Sequence, residues 1–376
     1  MSVKTERAQL ALDTILQKPT KGIPSWLLNI MEHEHIERLA GAQPGDYRSY
    51  PEKTYLAMQR ALGTCLLDQY IPENPLTMGS QGFDGAELGA TTGASEVVLD
   101  GIVINSPEAV VAHLESFVFE RLRKDIESFD QDKRVKEILD SEAAVQDKLG
   151  PDILKGPYGF ISFPCLDYSA YGYENYFMTY ALYPEIMEKQ FALQADFALL
   201  NNQAAARAFT RGDLPPFYRL DHDMADSRGT LVDIRSLDRI WFPHLARCLE
   251  PVLKTNVRMI WHCDGNLSQM VPRLLDVGLK GFQGFQYEDG MDYEKICAMR
   301  TKDGEELVII AGVSVTRTLP MGTPDDVKRE MAWLVETGPR TGLFLGASSS
   351  VAPGVPWENI KTFVEGLKHY QSHGRP

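Results

Sequence analysis

The chain lacks what several classes of function require. No apolar run approaches the roughly 20 residues that span a bilayer. The opening residues carry no apolar signal core followed by a small-residue cleavage site, so a cytoplasmic protein is expected. The five cysteines are an odd number without a CxxC pair. They argue against a disulfide framework and fit a reducing compartment. Basic charge is scarce: Lys and Arg number 38 against 52 Asp and Glu, a net charge of −14. Such a chain repels phosphate backbones, and no basic stripe with interleaved aromatics offsets this, which excludes nucleic acid as the expected partner. No GxGxxG or P-loop comes after the first apolar run, and no GxSxG elbow is present, so dinucleotide binding and serine hydrolysis are disfavoured.

What is present is a core-forming alternation. At 376 residues and 44% hydrophobic, the chain can bury a large interior. Residues 1–20 read as an amphipathic helix, and 53–62 as another. Short apolar runs occur at Ile23–Leu28, Cys65–Leu67, Gly159–Phe163, Phe217–Leu220, Val257–Trp261, Gly281–Gln286, Leu307–Ala311 and Gly342–Gly346. Helical patterns separate them, including charged stretches within 115–148, a long helix over 176–208, and one opened by Thr323-Pro-Asp-Asp. Asp100-Gly101 between two β-branched runs predicts a hairpin, and Ser106-Pro107 predicts a capped helix start. A Gly/Thr-rich insertion covers 79–93. The expected fold is a single (β/α)₈ TIM barrel over 1–376, with an N-terminal helical extension and a β-hairpin insertion.

In such a barrel, chemistry sits where strands end. The Val257–Trp261 run ends in His262-Cys-Asp-Gly265, an imidazole and a carboxylate two residues apart. The fourth run ends in Asp221-His222-Asp223; a carboxylate beside histidine favours its protonated form, suiting general acid work. The same aspartates could simply cap the next segment. Asp68, Gln69 and Asn74 come after the second run. Tyr168, Tyr171 and Tyr173 occupy a loop dense in tyrosine, which could wall an aromatic ligand or merely pack. Gln286 and Glu288 end the sixth run, Arg317 lies beyond the seventh, and Ser348, Ser349 and Ser350 end the eighth. The catalytic candidates are thus His222, Asp223 and His262. Asp68, Tyr168, Tyr171, Tyr173, Gln286, Arg317 and Ser349 are candidates for substrate contact. His262, Asp264 and Glu288 are candidates for a metal, zinc being the one weighed.

Taken in order, Asp221-His-Asp-Met224, Phe242-Pro-His244, His262-x-Asp-Gly-Asn266, Gly290-Met-Asp292, Gly312, Gly322-Thr-Pro and Gly354-Val-Pro-Trp-Glu-Asn359 resemble the uroporphyrinogen decarboxylase superfamily; Gly172-Tyr-Glu-Asn175 and Pro184-Glu fit its middle. The resemblance implies a TIM barrel with one deep pocket. The superfamily's true decarboxylases carry Arg-Gln-Ala-Gly-Arg after the first strand, to hold porphyrinogen carboxylates. Here Leu27–Glu32 has no arginine, which disfavours that substrate. Methyltransferases of the superfamily that methylate coenzyme M bind zinc through His-x-Cys-Gly and a distal Cys. This chain has Asp264 and Ser349 at those cysteine positions, and Cys263 one place off register should face the other way.

The remaining branch is similar to the first methyltransferases of bacterial O-demethylases. These move a methyl group from a methoxylated aromatic to the cobalt(I) of a separate corrinoid protein. The resemblance therefore implies a corrinoid (cobalamin) cofactor carried by a partner, since no Asp-x-His-x-x-Gly motif is found here, and a homodimer at family level. General acid help at the ether oxygen is typically worth ~10²–10⁴-fold. A decarboxylase or lyase acting on another carboxylated substrate is the alternative, and a non-catalytic binding barrel the second.

Overall fold

A computed structural model describes residues 4–73 and 97–375, together with the backbone of two short strands at Met78–Gly79 and Gly82–Phe83. The Gly/Thr-rich insertion expected at 79–93, and Asn74, lie otherwise outside the described residues.

Seven strand segments matter for the site: β1 (Leu66–Leu67), β2 (Leu154–Lys155), β3 (Phe217–Asp221), β4 (Arg258–His262), β5 (Gly281–Gln283), β6 (Val308–Val313) and β7 (Leu343–Ala347). β3 to β7 form one five-stranded sheet in chain order, every pair parallel. β6 and β7 are buried throughout, as expected for strands covered on both faces. The parallel order continues past β7 through isolated bridges, Ser25 to Leu345 and Trp26 to Leu66, and then through the β1–β2 pair. Helices separate these segments: Phe242–Leu253 and Val271–Val277 flank β4, and Pro324–Thr337 lies between β6 and β7. The molecule is a helix-rich α/β structure built on parallel strands, and none of its described helices is long and apolar enough to cross a membrane.

The third apolar run departs from expectation. The ladder forms at β2, upstream of Gly159–Phe163, and the described residues show no backbone ladder between this run and β3. Side chains take the ladder's place. Tyr218 Oη accepts from the N–H groups of Phe160 and Ile161, both at 2.7 Å. Asn201 donates to Phe160 O, and Asn202 both accepts from Ser162 N–H and donates to Ser162 O. Buried backbone groups need partners, and here these side chains provide them.

Elsewhere local signals hold. Asp100 (φ 49°) and Gly101 (φ 82°) turn the hairpin between Val98–Leu99 and Ile102–Val103. Ser106 caps Pro107–His113, and Thr323 with Asp326 forms a capping box. The long helix expected over 176–208 is two, Tyr173–Leu182 and Pro184–Arg211. Proline starts the second because it is tolerated at a first turn but not inside a helix.

Candidate active site

Register builds the site. Asp221, His262 and Gln283 are Cα partners on neighbouring parallel strands, so their side chains leave the same face side by side. Two residues earlier on β3, Arg219 leaves that face as well. The guanidinium is 2% exposed and donates Nε to Asp68 Oδ2 (2.7 Å), Nη1 to Asp221 Oδ2 (2.7 Å) and Nη2 to Gln69 Oε1 (3.2 Å). Asp68 also accepts from Trp26 Nε1 (2.9 Å) and from its neighbour's N–H (2.8 Å). Both Asp68 oxygens are engaged by protein donors and its side chain is fully buried. The expectation of substrate contact gives way to a positioning role: Asp68 holds Arg219, and Arg219 holds Asp221.

Asp221 accepts further from Tyr158 Oη (3.0 Å). Burial pushes its carboxyl up, but His262 and Arg219 outweigh this and hold it below its ordinary range. His262 is buried, and its Nδ1 donates to Gln283 O (3.3 Å). That leaves Nε2 toward two carboxylates, 3.9 Å from both Asp221 Oδ1 and Asp264 Oδ1. The ring lies close against Gly284, where a Cβ would fall 2.5 Å from Nδ1 and φ is +78°. Asp264 is raised, chiefly by burial, with His262 opposing and Asp223 adding to the rise. Its Oδ2 accepts from Ser349 Oγ (3.1 Å), while its buried Oδ1 has no hydrogen-bond partner. Asp223 Oδ1 accepts the Asp264 N–H (2.9 Å). Gln286 Oε1 accepts from Gly265 N–H (2.7 Å), pinning the loop.

Of these groups, Asp223, Asp264 and Gln286 open onto a cavity of about 670 Å³, lined also by Tyr168, Tyr173 and Phe177. The Tyr168 ring stacks on Tyr173 (4.7 Å) and on Phe177 (5.7 Å), and its hydroxyl donates to Asp223 O. A second cavity, about 410 Å³, is lined by residues of β2 and of the segments before β2 and β3, and its described lining includes none of the strand-end acids. The strand-end acids Asp223 and Asp264 thus mark the first as the candidate site.

The structure thus brings together Asp223, His262, Asp264, Ser349, Gln286, Tyr168 and Tyr173. It sets others apart. Tyr171 is buried away from the cavity, bonded to His113 Nδ1 (2.8 Å). Glu288 accepts from Ser314 and Thr316, and Arg317 is exposed and bonded to Glu288 O, neither lining the cavity. Within the metal trio, Asp223 replaces Glu288: ligand atoms of Asp223, His262 and Asp264 lie within 4.8 Å of one another. His222 differs most from expectation as an acid. Its Nε2 accepts the Leu166 N–H (2.9 Å), and burial drives its pKa down to about 4 against the pull of Asp223 and Asp221. It is neutral at pH 7. Cys263 is fully buried, with its sulfur accepting from Met224 N–H, on the face expected from its register. Arg219 was missed, although an arginine inside a buried strand pattern signals an anionic partner.

Residues 223–370 match the uroporphyrinogen decarboxylase (URO-D) family. The superfamily resemblance carried by the sequence motifs is thereby borne out. None of the curated proteins matches the chain. A methyltransferase from Methanosarcina mazei is similar in structure, at 17% identity and a TM-score of 0.56, with 97% of this chain and 98% of that one covered. At that identity the likeness is one of fold. A putative vitamin-B12 independent methionine synthase from Listeria monocytogenes comes next at 12% identity and a TM-score of 0.45, covering 94% and 98%.

Proposed function

We propose that this URO-D-like chain is a methyltransferase that moves a methyl group from a small methoxylated aromatic to the corrinoid of a separate protein. We also infer that its eight parallel segments close into a (β/α)₈ barrel acting as one domain, as a homodimer. The supporting observation is His262: its Nδ1 is committed to a carbonyl and its Nε2 faces two carboxylates, one of which, Asp264, lines an aromatic-walled cavity. The likeness of fold to a methyltransferase agrees with this reading.

In the reaction the methyl–oxygen bond breaks with its electron pair left on oxygen, and that oxygen takes a proton from the His262 imidazolium, releasing a phenol. The methyl carbon would pass to a corrinoid docked by the partner protein, whose cobalt(I) would provide the electron pair for the new bond. Asp221, held by Arg219, and Asp264 stand 3.9 Å from the His262 Nε2 and orient the ring for transfer. The ring stack of Tyr168, Tyr173 and Phe177 orients the arene, and Gln286 fixes the loop carrying Asp264. Zinc also fits: Asp223, His262 and Asp264 are a suitable donor set, the orphaned Asp264 Oδ1 offers a ligand atom, and Gln283 O orients the histidine from behind. A zinc ion held there would polarise the ether oxygen as a Lewis acid.

A decarboxylase for a carboxylated substrate needs free cationic groups in the cavity. Arg228 is bonded to Asp226, Arg235 to Asp233, and Arg317 lies outside the lining. The test is anaerobic: the protein, a reduced corrinoid protein and a panel of methoxyarenes are mixed, and loss of the cobalt(I) spectrum with release of phenol is monitored. His262→Ala should slow transfer by ~10²–10⁴-fold. Release of CO₂ from carboxylated compounds, with no phenol from any ether, would overturn the proposal.

A further inference from the structure

The cavity's charge is lopsided, and its sign bears on which aromatic donors it admits. Four of its lining residues carry charged side chains: Asp223, Asp226, Asp264 and Arg228. Arg228 extends into solvent, its side chain 88% exposed, and folds back on Asp226, donating Nε at 3.1 Å and Nη2 at 2.6 Å. That pair cancels itself. Behind the lining, the single guanidinium of Arg219 serves two carboxylates, Asp68 and Asp221, leaving one negative charge uncompensated. Asp223 and Asp264 remain. Whether or not His262 carries a proton, and whether or not Asp264 does, the sum over these groups stays negative. His222 adds nothing, being neutral at pH 7.

The rest of the wall suits a cation. The rings of Tyr168, Tyr173 and Phe177 stack with interplanar angles of 29° and 27° about Tyr168, and ring faces attract positive charge. Leu231 and Ala225 complete it with apolar surface. A carboxylate entering here would meet like charge in a partly desolvated space, with no free guanidinium among the described lining residues to receive it.

Resting on the aromatic-donor reading, we propose that the pocket ranks ring-matched donors by charge: a ring bearing a protonated amine first, a neutral ring second, a ring bearing a carboxylate last. Asp223 and Asp226 set this order. Asp223 faces the donor directly, and Asp226 keeps Arg228 from doing so. Each step in charge corresponds to about tenfold in affinity at low salt, and the steps shrink as salt screens them.

Binding can be measured without any methyl transfer. Calorimetric titration of the protein at pH 7 would use 2-methoxyphenol rings substituted at one position with aminomethyl, methyl or carboxylate. The expected order is ammonium, then neutral, then carboxylate, with the spread narrowing between 20 and 500 mM salt on the order expected from screening, roughly severalfold. Asp226→Asn, which frees Arg228, should raise carboxylate affinity about tenfold while leaving the neutral ring unchanged. Asp223→Asn should weaken the ammonium ring selectively. A carboxylate ring binding as tightly as the neutral one would overturn the ranking and leave the aromatic reading standing. If none of the three rings binds, both fail together.

Discussion

Replacing Arg219 with methionine tests whether the site rests on a buried charge relay. The guanidinium is 2% exposed and the Asp68 side chain has no exposure, so neither is solvated when its partner is removed. In Arg219→Met, Asp68 keeps the N–H groups of Trp26 and Gln69, and Asp221 keeps Tyr158 and His262, but two carboxylates lose their shared cation. Removing one partner of a buried ion pair typically costs ~3–5 kcal/mol, because it strands the other charge. A loss of that size is expected in urea unfolding, read as a lower midpoint at unchanged slope. Adding Asp68→Asn should recover ~1–3 kcal/mol of it, the coupling expected of residues sharing one network. A single variant costing under ~1 kcal/mol, or a double variant whose losses simply add, would refute the claim that Arg219 holds these groups together.

Three further outcomes rest on the geometry. His222 is depressed from 6.5 to about 4, so the unfolded chain binds a proton there that the native chain does not; stability should therefore fall as pH drops from about 6.5 to 4, by about 3 kcal/mol from this residue, and His222→Asn should flatten that stretch of the unfolding profile. Gly284→Ala puts a Cβ 2.5 Å from His262 Nδ1 at φ +78°, so it should displace the ring and lower kcat/KM for methyl transfer by more than about tenfold; unchanged kinetics would disconnect His262 placement from catalysis. Tyr171→Phe removes a buried hydrogen bond to His113 outside the cavity, so thermal unfolding should show a loss of ~1 kcal/mol with transfer kinetics unaltered.

Much of the fold was legible because its signals are local. Asp100-Gly101 allows only a tight hairpin, Thr323-x-x-Asp326 supplies both halves of a capping box, and buried parallel strands read as unbroken apolar runs. What failed depends on distant partners. Gly159–Phe163 has the composition of a strand, yet its backbone is satisfied by Tyr218, Asn201 and Asn202, from 40 to 58 residues downstream. No pattern within the run itself could show that. Arg219 was visible as an oddity in an apolar strand with Asp221 two places on, but its other acceptors, Asp68 and Gln69, lie about 150 residues away, and their placement beside it is a tertiary fact.

The two histidines show the same limit at the site itself. Each lies at or just past a strand end, and each has an aspartate beside it or two places away; sequence favoured His222, flanked on both sides, as much as His262. Environment separates them. His222 meets a backbone N–H, a donor that only an unprotonated nitrogen can accept, and burial then holds it neutral despite Asp221 and Asp223. His262 meets a backbone carbonyl, which fixes a proton on Nδ1 and turns Nε2 to Asp221 and Asp264. A donor at one ring and an acceptor at the other assign opposite roles to residues of the same type. Under the proposed reaction only His262 can deliver a proton to a leaving oxygen, while His222 holds the tyrosine loop through Leu166. His222→Asn should therefore change the transfer rate far less than His262→Ala, which should slow it by ~10²–10⁴-fold.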